Sequence, residues 1–192
     1  MVSMQRLGSL FRACGAEDLP DGAFVECGVA QGGCLALMSV MSGGRRLVWG
    51  FDSFEGMPAL GVEDEGDGQP WVGFRCSGSE GLRKAEETLR RFSVDGPWVR
   101  LIPGWFEDTL PSRLPELGPI AVLRLDNDWY RSTRYCLDTL YDVVATNGFI
   151  LIDDYHTFVG CRKAVDEFRQ KRGIDAPLLT VEAGAEAYWR KA

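Results

Sequence analysis

The sequence predicts an α/β fold of the Rossmann-like type, with a mostly parallel seven-stranded sheet that carries helices on both faces. Short apolar runs alternate with stretches of helical periodicity, and this alternation is typical of parallel βαβ units. Two short runs at the C-terminus follow each other with no helix between them, which predicts a closing antiparallel hairpin. The 192 residues and the 45% hydrophobic content fit one domain with a sizeable core.

The apolar runs predict seven strands, and the periodic stretches predict five helices. The strands are Ala23–Cys27, Leu47–Phe51, Val99–Ile102, Ile120–Leu125, Phe149–Ile152, Leu178–Glu182 and Ala187–Arg190. The helices are Met4–Cys14, Cys34–Met41, Glu80–Phe92, Thr133–Tyr141 and Arg162–Lys171. Within the single domain 1–192, residues 1–19 are predicted as an N-terminal helical segment. Residues 55–75, rich in glycine and acids, are predicted as an insertion loop and a candidate lid.

The composition excludes several classes of partner. A net charge of −7 argues against nucleic acid and anionic membranes, because both require a basic face. No apolar run approaches the roughly 20 residues of a membrane span, and the N-terminus has no signal-peptide pattern. Six scattered cysteines and a single histidine indicate reduced thiols and argue against a zinc site. We therefore expect a cytoplasmic protein that acts on a small molecule.

The turn after the first strand points to a nucleoside-containing ligand. It runs from Glu26 to Gly33 and contains three glycines, which let the backbone approach a ligand closely. Asp52 ends the next strand, 24 residues after Gly28, where an acid commonly binds ribose hydroxyls. The turn lacks the GxGxxG pattern of dinucleotide sites, and Glu26 would repel a pyrophosphate. The same carboxylate would attract the sulfonium and ammonium of S-adenosylmethionine, so the sequence favours this methyl donor; a turn that serves only packing is the alternative.

Four carboxylates follow two strands that are neighbours in the usual order of such a sheet. Asp126 and Asp128 come after the fourth strand, and Asp153 and Asp154 come directly after the fifth. Acids that converge in this way repel one another unless a cation lies between them. Oxygen ligands select a hard divalent ion, with Mg²⁺ as the first choice and Mn²⁺ or Ca²⁺ as alternatives. Helix capping is the competing explanation, but it accounts for one acid at each strand end and not for two.

This arrangement predicts transfer of a methyl group to oxygen. A hydroxyl bound to the metal would face the donor, and the cation would lower the pKa of that hydroxyl. A nearby carboxylate would then accept the proton. His156, which directly follows the second acid pair, is a second candidate for a general base, and it could equally contact substrate or lie on the surface.

Several blocks of the sequence resemble the macrocin O-methyltransferases of antibiotic-sugar biosynthesis. The blocks are Phe24–Val29, Trp49–Pro58, Pro103–Pro111, Leu123–Asp128, Ile152–Tyr155 and Gly160–Val165. The resemblance implies a class I methyltransferase fold, S-adenosylmethionine, Mg²⁺, and a hydroxyl on a sugar attached to a natural product. It also implies a homo-oligomer.

The same resemblance implies roles for individual residues. The implied metal ligands are Asp126, Asp153 and Asp154, and the implied catalytic base is Asp128. The implied donor contacts are Glu26, Gly28, Asp52, Ser53, Gly104 and Trp105. Trp105 is a candidate to flank the adenine, and a tryptophan of the core is the other interpretation of this residue.

Two alternatives to sugar methylation stay open at this point. The same residues could methylate a catechol-like phenol, because a phenolic hydroxyl would bind the metal in the same way. A protein that binds the donor without catalysis is the second alternative, and the four intact aspartates argue against it.

Overall fold

The computed structural model describes residues 4–67, 79–181 and 186–192, and it contains the predicted seven-stranded sheet. The strands are β1 (Ala23–Cys27), β2 (Val48–Asp52), β3 (Val99–Pro103), β4 (Ile120–Leu125), β5 (Val144–Ile152), β6 (Leu179–Thr180) and β7 (Ala187–Arg190). Their order is β3-β2-β1-β4-β5-β7-β6. The first five are parallel, and β7 pairs antiparallel with both β5 and β6, which confirms the fold class and the hairpin.

Six helices cover the two faces of the sheet. They are α1 (Met4–Cys14), α2 (Gly33–Ser42), α3 (Ser79–Arg91), α4 (Phe106–Leu117), α5 (Tyr130–Leu140) and α6 (Val159–Arg172). Buried side chains of α1, α2 and α3 pack on one face, and those of α4, α5 and α6 pack on the other. The central strands β1 and β4 are buried along their whole length, which is why they appear in the sequence as nearly continuous apolar runs. Among the described residues, no helix is both long and apolar enough to cross a membrane.

Helices α5 and α6 each begin three residues earlier than predicted, and three other elements differ more. Helix α4 was not predicted, because it contains Pro111 and Pro115, and proline ordinarily breaks a helix. Burial of Leu110 and Leu117 in the core compensates for that propensity. Strand β5 begins five residues earlier than predicted, through a polar stretch that hides its start. Strand β6 is limited to two residues, and the predicted end of this strand at Glu182 lies outside the described residues.

The described part of the predicted lid, residues 55–67, is here called the acidic loop, and it is anchored to the body of the protein. Trp129 Nε1 donates a hydrogen bond to the carbonyl oxygen of Pro58 at 3.1 Å. Asp64 lies so close to Gly160 that a Cβ added there would be 1.7 Å from the carboxylate oxygen of Asp64. This contact fixes the loop against the start of α6. Residues 68–75, the rest of the predicted lid, lie outside the described residues.

Two buried aspartates of the acidic loop cap the helices that follow β4 and β5. Asp64 Oδ1 accepts a hydrogen bond from the backbone N–H of Tyr130 at 2.8 Å, at the start of α5. Asp67 accepts two, from Val159 at 2.6 Å and from Gly160 at 2.9 Å, at the start of α6. A helix leaves its first N–H groups without intrahelical partners, and a carboxylate there also interacts favourably with the helix dipole. The loop therefore supplies caps to helices that begin far from it in sequence.

We expect Asp67→Ala to lower the free energy of unfolding by about 1–2 kcal/mol, because it removes the acceptor for two backbone N–H groups of α6. Urea denaturation of both proteins measures the difference. Asp95→Ala is the matched control, since Asp95 is exposed in the loop before β3 and is expected to change stability by less than about 0.5 kcal/mol. Equal stability of Asp67→Ala and the control would show that Asp67 does not hold the start of α6.

Candidate active site

The predicted acids meet at the carboxyl edge of the sheet, where β4 and β5 end side by side. Asp126, Asp128 and Asp154 each place one carboxylate oxygen within 4.8 Å of the other two. The backbone ladder fixes these positions, since Asp153 N donates to the carbonyl oxygen of Leu125 at 2.9 Å. The structure therefore brings together three acids from two neighbouring strand ends, and Asp126, Asp128 and Asp154 form what is here called the acid group.

The acids of this group repel one another and are poorly solvated. Burial, together with the negative charge of Asp126, raises the pKa of Asp128 to about 8. Burial also raises the pKa of Asp154 well above its usual range, and the charges of Asp126 and Asp128 add to the effect. A carboxyl whose pKa is raised in this way lacks sufficient positive charge around it. A divalent cation would supply that charge.

Three buried polar groups at this edge of the sheet make no hydrogen bond with any part of the chain that the structure describes. They are Glu26 Oε2, the side-chain amide of Asn127, and Asp154 Oδ2. A buried polar atom without a partner costs free energy unless a ligand, an ion or water meets it. These groups lie at the ends of β1, β4 and β5, so the edge fits a polar ligand and a cation held by oxygen atoms.

The site acids are not needed as helix caps. The N-cap residues of α5 and α6 are Trp129 and Phe158, and neither makes a side-chain capping bond. Asp64 and Asp67 of the acidic loop satisfy those helix ends instead. Asp128 also adopts φ 61°, in the left-handed region, and a non-glycine residue there is frequently found at a functional site.

A buried arginine that sequence analysis missed lies beneath the acids. Arg124, near the carboxyl end of β4 and opposite Glu26 of β1, has 1% of its side chain exposed. Its Nη1 donates to Glu26 Oε1 at 2.8 Å and to Asp126 Oδ2 at 2.9 Å, and its Nη2 donates to Asp153 Oδ1. The guanidinium is therefore a resident cation for three carboxylates. A charged residue inside an otherwise apolar strand was the signal that could have found it.

Asp153 is placed differently from the other predicted metal ligands. Its carboxylate binds Arg124 through one oxygen and Arg6 of α1 through the other. Arg6 also lies 3.8 Å from Asp154 Oδ1 and donates to Thr157. Two arginines thus engage Asp153, while the predicted base Asp128 lies in the group with Asp126 and Asp154. No sequence pattern pointed to Arg6, because α1 is far from β5 in the chain.

The predicted methyl-donor turn, from Glu26 to Gly33, packs closely against the end of β4. Gly28 has φ 94°, and a Cβ at this position would lie 1.9 Å from the carbonyl oxygen of Asp126. Asp52 Oδ2 accepts hydrogen bonds from the backbone N–H groups of Val29 at 2.9 Å and Ala30 at 2.8 Å. Its Oδ1 accepts one from Phe54 at 2.7 Å. Asp52 therefore holds the donor turn in place as well as being the candidate for ribose binding.

Glu26 lies at the end of β1 with 1% of its surface exposed. Burial raises the pKa of Glu26 to about 8, and the neighbouring Arg124 guanidinium opposes that shift. One carboxylate oxygen binds Arg124, and the other is the unmatched Oε2 described above. This oxygen is suited to accept a hydrogen bond from an ammonium group of a ligand.

The remaining predicted site residues have local roles in the structure. Ser53 Oγ accepts a hydrogen bond from Glu55 N at 3.1 Å, just after β2. Gly104, with φ 136°, and the half-buried Trp105 form the turn between β3 and α4. His156 Nε2 contacts Thr180 Oγ1 of β6 at 3.0 Å, and its ring packs edge-on against the neighbouring tyrosine. The described contacts of His156 are therefore with Thr180 and Tyr155.

Comparison with known proteins gives the family. The model of the family described as "Macrocin-O-methyltransferase (TylF)" matches residues 1–191. The chain belongs to the macrocin O-methyltransferase family. This confirms the predicted activity, an O-methyltransferase that uses S-adenosylmethionine.

Two relatives and one solved structure illustrate how similar the members of the macrocin O-methyltransferase family are. Demethyldecarbamoylnovobiocin O-methyltransferase of Streptomyces niveus is 36% identical over 203 residues, which cover 100% of this chain and 75% of that protein. A tetracenomycin-C rhamnosyl 4'-O-methyltransferase of Streptomyces olivaceus is 35% identical over 199 residues, covering 99% of this chain and 74% of that protein. The structure of the O-methyltransferase NovP superposes with a TM-score of 0.88 at 32% identity, covering 100% of this chain and 81% of that one.

Proposed function

We propose that this enzyme transfers the methyl group of S-adenosylmethionine to a hydroxyl on the sugar of a glycosylated natural product, with Mg²⁺ in the acid group. The observation that supports a metal site is the convergence of Asp126, Asp128 and Asp154. Asp154 Oδ2 is buried and has no hydrogen-bond partner among the described residues. A sugar acceptor is supported by the activities for which the relatives are named, among them the rhamnosyl 4'-O-methyltransferase. A cytoplasmic location and a homo-oligomeric state stay predictions from the sequence.

The acid group fits a hard divalent cation held by Asp126 and Asp154. These two residues belong both to the predicted ligand set and to the group that the structure assembles. Asp153, the third predicted ligand, can join them by giving up one of its two arginine partners. When bound, Mg²⁺ lowers the pKa of a coordinated hydroxyl and fixes its direction.

Asp128 is the proposed proton acceptor. Its carboxylate lies within 4.8 Å of those of Asp126 and Asp154, so an acceptor hydroxyl held at the group lies within its reach. Burial and the charge of Asp126 raise its pKa to about 8, which suits proton transfer near neutral pH. His156 keeps its predicted place as an alternative base, although its contact with Thr180 directs it toward β6.

The donor is proposed to lie over the ends of β1, β2 and β3. The unmatched Glu26 Oε2 would accept a hydrogen bond from its ammonium, and the positive φ of Gly28 permits close approach of its backbone. Asp52 has one acceptor position left on Oδ1 for a ribose hydroxyl, since its other positions accept from the backbone N–H groups of Val29, Ala30 and Phe54. Ser53, Gly104 and Trp105 stay proposed contacts on the adenosine side.

A methyl-transfer assay with an acceptor panel tests this proposal. The enzyme is incubated with S-adenosylmethionine, Mg²⁺ and either rhamnosylated polyketides or simple catechols, and products are detected by mass spectrometry. We expect a mass gain of one methyl group on the glycoside, loss of activity in EDTA, and recovery with excess Mg²⁺. Methylation of the catechol alone would show that the acceptor is a phenol and not a sugar. Full activity in EDTA would contradict the proposed metal dependence.

A further inference from the structure

One nitrogen of Arg124 is shared between the proposed donor site and the proposed metal site. Arg124 Nη1 donates at 2.8 Å to Glu26 Oε1, at the end of β1, and at 2.9 Å to Asp126 Oδ2, after β4. Glu26 and Arg124 are register partners across the parallel pair β1–β4, so the contact is built into the sheet. The side chains of Arg124 and Glu26 are only 1% exposed, so bulk water does not replace the hydrogen bond between them when it weakens, whereas the Asp126 side chain is 26% exposed.

We propose that Arg124 is a positioning residue that couples binding of the divalent cation to binding of the methyl donor. This inference rests on the proposed function, because it takes Glu26 as a donor contact and Asp126 as a metal ligand. Arg124 itself touches neither ligand in this proposal. Its role is to share one guanidinium between the carboxylates of Glu26 and Asp126.

The sign of the coupling follows from competition between Glu26 and Asp126 for the positive charge of one guanidinium. A cation that engages the Asp126 carboxylate reduces the negative charge that this carboxylate offers to Arg124, and the guanidinium then binds Glu26 more fully. Glu26 in turn offers less negative charge to the ammonium of the donor. Cation and donor should therefore weaken each other's binding, and by the same factor, because the coupling between two bound ligands is reciprocal.

Calorimetric titration of the wild-type enzyme measures the coupling without turnover. The probes are S-adenosylhomocysteine and MgCl₂. S-adenosylhomocysteine keeps the ammonium of the donor but lacks the sulfonium charge, so direct repulsion by the cation is reduced. We expect saturating Mg²⁺ to raise the Kd of S-adenosylhomocysteine about fivefold, and S-adenosylhomocysteine to raise the Kd of Mg²⁺ by the same factor.

Arg124→Lys separates positioning by Arg124 from simple charge. Lysine keeps one positive charge but cannot place fixed N–H groups on three carboxylates at once. We expect the coupling to fall below about twofold in Arg124→Lys. Arg46→Lys is the control for the same chemical change, since Arg46 binds the carbonyl oxygens of Pro20 and Gly22 before the start of β1. It should keep the wild-type coupling.

Three outcomes would overturn the inference. They are a coupling below about twofold in the wild-type enzyme, tighter S-adenosylhomocysteine binding in the presence of Mg²⁺, and an unchanged coupling in Arg124→Lys. If Arg124→Lys does not fold, Glu26→Gln takes its place. This variant should also lose the coupling, because the neutral amide of glutamine competes poorly with the Asp126 carboxylate for the guanidinium of Arg124. Failure of the wild-type enzyme to bind S-adenosylhomocysteine or Mg²⁺ at all would instead contradict the proposed function, and the inference with it.

Discussion

Replacing Asp154 with asparagine is expected to lower kcat for methyl transfer by at least about 100-fold, which corresponds to about 3 kcal/mol. Asparagine has nearly the same shape, but it removes a charge from the group formed with Asp126 and Asp128. Because the pKa of Asp154 is raised by burial and by these two acids, its charge destabilises the fold when no cation is bound. The substitution should therefore leave the melting temperature unchanged or higher while activity is lost.

Steady-state kinetics and thermal unfolding are measured together for Asp154→Asn. The matched control is Asp138→Asn, which removes a half-exposed carboxylate that pairs with Arg134 one helical turn away on α5. That control should change neither kcat nor the melting temperature appreciably, since exposed ion pairs contribute little. Near wild-type kcat in Asp154→Asn would remove this residue from the proposed metal site.

Gly28→Ala is expected to lower the free energy of unfolding by about 3–5 kcal/mol. Gly28 has φ 94°, which an alanine adopts only with strain. A Cβ would also lie 1.9 Å from the carbonyl oxygen of Asp126, so the donor turn or the end of β4 must move. This movement disturbs both the turn proposed to bind the methyl donor and the end of β4 that carries Asp126. We therefore expect binding of S-adenosylhomocysteine to weaken at least about tenfold.

Gly33→Ala provides the control for this change within the same turn. A Cβ on Gly33 meets no atom within 4 Å, and the residue begins α2, where alanine is the better helix former. We expect equal or slightly higher stability and intact binding of S-adenosylhomocysteine. Wild-type stability in Gly28→Ala, measured by urea denaturation, would show that the close approach of β1 and β4 at this position is easily relaxed.

The sheet and the position of the site could be predicted because both follow from local patterns. Apolar runs bounded by turns locate strands, and the order of a parallel sheet then places the residues after each strand at one edge. Glu26, Asp52 and the four aspartates after β4 and β5 were identified in this way. No distance between residues was needed for that step, only the assignment of strand ends.

The contacts beneath the site depend on packing that the sequence does not display. Arg124 reaches Glu26, Asp126 and Asp153 because β1, β4 and β5 are adjacent, and the pairing of a buried charge is a property of the assembled sheet. Arg6 reaches Asp153 across 147 positions of the chain. Helix α4 escaped prediction for a related reason, since burial in the core outweighs the effect of its two prolines.

The caps supplied by the acidic loop have a consequence for mutational scanning. Asp64 and Asp67 touch no proposed ligand, yet they hold the starts of the two helices that directly follow the site acids. A scan scored by product formation alone would count the several-fold losses expected at these two aspartates as losses of catalysis, like the larger loss at Asp154. Only a parallel measurement of protein abundance would separate them, because loss of a cap lowers the amount of folded enzyme, whereas loss of Asp154 lowers the output of each folded molecule.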